Sequence, residues 1–149
     1  MNSQGFVLAC HGCDRAAGER ILSGAEQVRA SDNKHDWMGS GAYFWENSPR
    51  RALSWAQFLK ENPQYARTQV KIPFVIGAII VPGRCLDLME SGSLTILRDA
   101  YCEYAATMKD AGSLLPQNEM GHPGDEDLVK RHLDCAVINY LHTTRGEQN

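Results

Sequence analysis

Residues 74–81 read FVIGAIIV, eight apolar residues in a row with no charge, closed by the turn pair Pro82-Gly83. The run is far shorter than the roughly 20 residues that span a bilayer. It is rich in β-branched side chains, so it reads as a strand, the longest within 71–88. Its near-continuous apolarity predicts burial on both faces. A strand of that kind needs partners. GFVLACHG at 5–12 is one, and AYFWE at 42–46 is another.

Helical patterns separate these strands. Asp14 is placed to cap a helix ending at Ile21-Leu22, with Gly24 as its stop. Asn47 or Ser48 caps the next, Pro49 takes its first position, and Asn62-Pro63 ends it near Glu61. Ala52, Trp55, Ala56 and Leu59 form its apolar stripe. Residues 85–88 read as a short strand or turn. A third helix is expected over 91–112, with Ser91 or Ser93 as cap and Gly112 as stop, and a last one over 127–144. The loop 113–127 is rich in Pro, Gly and acid; its run Gly124 to Asp127 reads as the start of the last helix. Residues 25–41 form a polar loop of unusual length, the kind that carries function or moves. The order is mixed α+β, and 149 residues suit one domain.

Bulk properties narrow the function classes. The net charge is −3 and the sequence pI is about 5.9. This argues against coating nucleic acid by charge alone and leaves room for a local basic groove. Arg50, Arg51, Arg67, Lys71 and Arg84 are the basic residues weighed for phosphates, most of them expected to be solvated. The five cysteines have no secreted-framework spacing, and the first residues lack a signal-peptide pattern, so a cytoplasmic location is expected. Cys10-x-x-Cys13 has no second pair, and His11, His35, His122, His132 and His142 form no ligand motif, so no metal is expected. No segment suggests a membrane partner.

Two constellations stand out. His11-Gly12 closes the first strand, where a glycine lets a ligand approach the backbone and a histidine can meet a hydroxyl. The alternative is a core histidine followed by a turn glycine. Gly39-Ser40-Gly41 precedes Tyr43, Phe44 and Trp45, a flexible feed into an aromatic strand. Strand alternation sends Tyr43 and Trp45 one way and Phe44 the other. Such rings serve either as core or as a flat wall for a planar ligand.

Together, His11-Gly12, the helix ending in Ile21-Leu22-x-Gly24, the long loop, and Gly39-x-Gly41-x-Tyr43-Phe44 before a helix resemble the ADP-ribosyltransferase superfamily. The resemblance is to the His–Tyr–Glu branch, of the poly(ADP-ribose) polymerase and diphtheria toxin type, and within it to small bacterial toxins and phage-defence proteins. It covers residues 6–60. It implies a split antiparallel sheet with helices on its flanks, incomplete toward the C-terminus, and NAD as the cofactor. His11 would meet the ribose hydroxyls. Gly12 would hold the carboxamide by its backbone. Tyr43 would stack on nicotinamide, with Phe44 packed beside it. Trp55, on the helix forming the opposite wall, would supply a second stacking ring, and the loop 25–41 would lie over the cofactor.

The family's third element is a glutamate on a late strand, and no such strand is read after residue 90. Glu103 falls in a helix, Glu119 and Glu126 in a loop, and Glu147 near the end. Three readings follow: the N-terminal piece of a longer protein, a compact variant using Glu119 or Glu126 (Glu126 completing the triad), or an inactive module that binds NAD or a partner. The function implied is transfer of ADP-ribose from NAD to a protein, RNA or DNA acceptor, as a toxin or defence effector with a neutralising partner. The alternatives are NAD hydrolysis, RNA 2′-phosphotransfer, or binding without catalysis.

Overall fold

The computed structural model describes residues 5–146. Among them the chain is α+β, with a three-stranded antiparallel sheet and four α-helices. In order these are β1 (Val7–Asp14), α1 (Arg15–Leu22), β2 (Trp45–Glu46), α2 (Pro49–Glu61), β3 (Pro73–Ile80), α3 (Ser91–Asp110) and α4 (His132–Gly146), with a 3-10 turn at Pro63–Tyr65. The described residues form two compact units. One holds the chain through Arg29 with Ala42–Cys85; the other holds Ala30–Gly41 with the chain from Leu86 onward.

The first unit contains the sheet, in the order β2-β1-β3. β1 pairs with β3 along its whole length, from Val7 opposite Ile80 to Asp14 opposite Pro73. α2 lies close against β1. A Cβ on Gly12 would sit 2.0 Å from the Ala52 carbonyl oxygen, and Ala52 and Ala56 are fully covered. Small residues on both elements let the helix backbone approach the strand. α1 packs on the other face, where a Cβ on Gly18 would meet the Phe74 ring at 2.5 Å and Cys13 Sγ at 3.2 Å. Gly12 and Cys13 are successive strand residues and point to opposite faces, so the two helices flank the sheet.

The run at 74–81 is less buried than expected. β3 is an edge strand, Ile76 is its buried residue, and Ile79 and Val81 are each 71% exposed. The helices reach the start of the strand: Phe74 meets α1, and Pro73 borders a groove lined by Leu53, Gln57, Lys60 and Glu61 of α2. The far end runs past them. β2 is also shorter than the expected 42–46, being confined to Trp45–Glu46. Asn47 then adopts φ +48° and turns the chain into α2. Trp55 is not core, contrary to its place in the apolar stripe, since it is 45% exposed.

Asp14 ties three segments together. Its carboxylate accepts from Ala16 N–H at 3.0 Å, capping α1 as expected, and from Lys71 and Ile72 N–H at 2.8 and 2.9 Å where the chain enters β3.

In the second unit α3 and α4 pack around Ala100, Val137 and Leu141, with Leu86, Ile96, Leu97, Tyr104 and Leu133 about them. α3 starts after Glu90 rather than on a serine cap, and Gly112 at φ +65° follows its end. α4 begins five residues later than expected. Lys130 is drawn into a two-way backbone bridge with Glu119, at 2.9 Å each way, and this holds 128–130 out of the helix. The acidic run 124–127 therefore lies in the loop before α4 and not at its start. The glycine-flanked loop is clasped: Ser31 and Gly41 bridge through both backbone bonds, and Asp36 Oδ2 accepts from Ser31 Oγ at 2.6 Å. Trp37 Nε1 donates to the Val129 carbonyl at 2.9 Å, and Asn139 Oδ1 accepts Ser40 N–H at 2.7 Å.

Backbone donors, that of Ile72 foremost, hold the Asp14 carboxyl below the ordinary aspartate range. A pKa lower folded than unfolded means that the native state binds fewer protons. Asp14 therefore stabilises the fold fully well above the unfolded value near ~4 and loses that contribution as pH falls through its folded value. Asp14→Ala is expected to cost about 1–2 kcal/mol at pH 7 in urea unfolding, and the difference from wild type should shrink as pH falls through the folded value of Asp14.

Candidate functional site

The candidate site grows out of the point where β1 and β2 part. β2 pairs with β1 at only two positions, Ala9 opposite Glu46 and Cys10 opposite Trp45. Asn47 N–H donates to the Leu8 carbonyl at 2.8 Å. In an antiparallel ladder the N–H and C=O of one residue point to the same side, and successive residues alternate. Leu8 points its polar groups toward β2, so Cys10 and Gly12 do as well. Continued in register, Gly12 would face Tyr43 and donate to its carbonyl.

The ladder does not continue. The Tyr43 carbonyl instead accepts from His11 Nδ1 at 2.8 Å. The histidine ring thus takes the place that the Gly12 N–H would hold, and the strand peels away after Trp45. Gly12, itself buried, then has its backbone donor and acceptor facing a side of β1 that no strand occupies among the described residues. A planar amide offers the matching acceptor and donor.

The same bond defines the imidazole. A carbonyl only accepts, so Nδ1 carries the hydrogen. In the neutral ring Nε2 is then an acceptor, able to take a hydroxyl hydrogen. The Phe44 ring supports the histidine at a centroid distance of 5.5 Å and a tilt of 53°. Tyr43 is 39% exposed. Trp45 lies on the α2 side of the sheet, where the Arg51 guanidinium sits 5.4 Å from its ring centre.

The structure thus brings His11, Gly12, Tyr43 and Phe44 together within the first unit. Trp55, on α2 of the same unit, stacks on Phe58 at 5.4 Å and 18°. Glu126 is exposed in a loop of the second unit, to which Glu103 and Glu119 also belong. Glu119 Oε2 lies 4.0 Å from His132 Nε2. Glu147 lies outside the described residues. The residues 30–41 of the long loop are bonded within the second unit.

Two features were not legible in the sequence. Asp14 reads as a helix cap, and its bonds to residues 57 and 58 positions away leave no local signal. Phe58 and Tyr65 extend the Trp55 stack; only the three-residue spacing of Trp55 and Phe58 hints at it. Cys10 and Cys13 are both free thiols, and no group of three or more His, Cys, Asp or Glu gathers around a metal-sized centre among the described residues. No helix there is long and apolar enough to cross a membrane. No family model, curated protein or solved structure matches the chain.

Two expectations follow. Gly12→Ala should destabilise the first unit by about 2–3 kcal/mol or more in thermal or urea unfolding, because the new methyl meets the α2 backbone, which cannot rotate away. Burial pushes the Cys13 and Cys135 thiols up. In timed iodoacetamide labelling at pH 8, the exposed Cys85 and Cys102 should be modified first and these two last.

Proposed function

We propose that the chain binds NAD at the His11–Gly12–Tyr43 edge and transfers ADP-ribose from it to a macromolecular acceptor. One observation carries the reading: the hydrogen bond from His11 Nδ1 to the Tyr43 carbonyl, across 32 residues of sequence, beside Gly12, a buried residue whose backbone amide faces the side of β1 that β2 leaves unpaired. It leaves one acceptor nitrogen for a ribose hydroxyl and one backbone amide pair for the carboxamide. Tyr43, exposed beside them, is the ring assigned to nicotinamide. In this reading the fold is an ADP-ribosyltransferase-like split sheet, and the protein acts as a toxin or defence effector in the cytoplasm, restrained by a protein partner. Bound NAD supplies a good leaving group and an electron-poor anomeric carbon. The chain's own part is to hold the nicotinamide half so that the acceptor reaches that carbon.

A second reading, an NAD-binding module without transfer, has its own support. No strand follows β3 among the described residues, so none of the acids proposed for the third role, Glu103, Glu119 and Glu126, lies on a late strand.

Calorimetric titration with NAD is expected to give a single site in the wild type, lost in His11→Ala and Tyr43→Ala, with melting temperatures within a few degrees of wild type. Absence of binding in the wild type would overturn both readings. Nicotinamide release with cell lysate present, abolished by Glu126→Gln, would support transfer by this chain. NAD binding without any release would favour the binding module.

A further inference from the structure

Residues 49–71 carry five basic side chains, Arg50, Arg51, Lys60, Arg67 and Lys71, against the single acid Glu61, in a chain of net charge −3. All five are exposed. The same segment holds a stack of three aromatic rings. Trp55 lies on Phe58 at 5.4 Å and 18°, and Phe58 lies on Tyr65 at 5.7 Å and 21°. The three are 45%, 40% and 57% exposed.

One exposed aromatic residue is ordinary on a protein surface. Three stacked in succession, with Arg51 one helical turn before the first, are not explained by packing, since the buried face of α2 consists of Ala52 and Ala56. Arg51 lies one helical turn before Trp55, and its guanidinium covers Trp45. A line of cation and rings therefore runs from Trp45 through Arg51, Trp55 and Phe58 to Tyr65.

We propose that this face of α2 and the 3-10 turn binds single-stranded nucleic acid. The terminal rings of the stack each keep a face for an unpaired base, and every base has such a face. Arg51, in line with the rings, meets a phosphate, and the other basic residues of the segment add attraction that falls with salt. A duplex keeps its base faces inside its own stack and uses only the cations, so the rings set the preference for a single strand. An acidic protein would likewise use the charges and not the rings. The inference goes beyond the NAD reading and does not depend on it.

The test needs no NAD. Fluorescence anisotropy is followed with labelled oligo-dT and oligo-U of about 12 nucleotides, and with a duplex of the same length, over about 50–200 mM salt. Wild type is expected to bind the single strands about 10-fold more tightly than the duplex. Tyr65→Ala and Tyr65→Leu should each weaken single-strand binding about 10-fold, while Tyr65→Phe, which keeps the ring, should retain it. Arg51→Ala should lower the salt slope by about one. Thermal melts check that each variant is folded; Tyr65→Leu serves if Tyr65→Ala is not. The proposal is overturned if the wild type binds neither single strand at low salt. Equal affinity for duplex with no effect of the Tyr65 variants reduces the face to charge alone, and also overturns it. So does equal competition by an acidic polyglutamate peptide, which would point to a protein partner.

Discussion

The first unit depends on one close approach. The Ala52 carbonyl of α2 occupies the space where any side chain at position 12 would begin. Interiors are packed to the density of crystals, and a contact of this kind leaves no room for adjustment. It sets the height of α2 over the sheet, and with it the place of Trp45 under Arg51 and of the exposed aromatic stack. The glycine that a ligand reading assigns to backbone access is thus required by the helix as well. Its side-chain direction serves the packing, and its polar groups, lying in the plane of the sheet, serve the open edge.

That edge is open because a side chain competes with a strand. A backbone ladder would normally run on from Cys10–Trp45. His11 satisfies the Tyr43 carbonyl with its ring, so the peeled segment carries no unpaid acceptor there. The bond also fixes the imidazole tautomer and leans the ring against Phe44. One interaction therefore ends the strand, orients the histidine and leaves the β2 side of the buried Gly12 without a strand partner. Asp14 holds the same strand two residues further on, joining the α1 N-terminus to the entry of β3 through three backbone donors.

The edge beside Gly12 and the α2 face are different parts of the same unit. The edge offers directional hydrogen bonds suited to a small planar ligand. The α2 face offers rings and cations suited to a flexible polyanion. The net charge of −3 hides the second feature, because the acids that outweigh the bases lie outside 49–71.

Local chemistry made much of the chain legible. Asp14 and Gly24 bound α1, Pro49 and Asn62-Pro63 bound α2, and Gly112 follows α3, since capping and backbone freedom act over one turn. That His11 meets Tyr43 and Phe44 is a tertiary contact; along the chain the two motifs were connected only by a family resemblance, not by capping or periodicity. What the tertiary structure decided are matters of competition between distant groups. Whether residues 42–44 extend β2 depends on which donor reaches the Tyr43 carbonyl. Whether 127–131 are helical depends on the bridge from Lys130 to Glu119. Whether FVIGAIIV is buried depends on how many strands and helices reach it, and its exposed end at Ile79 and Val81 reflects an edge position that no pattern within the run encodes. The amino-acid sequence determined the elements and their punctuation, because those energies are local; the tertiary structure decided edges, partners and exposure, because those depend on what else arrives in space.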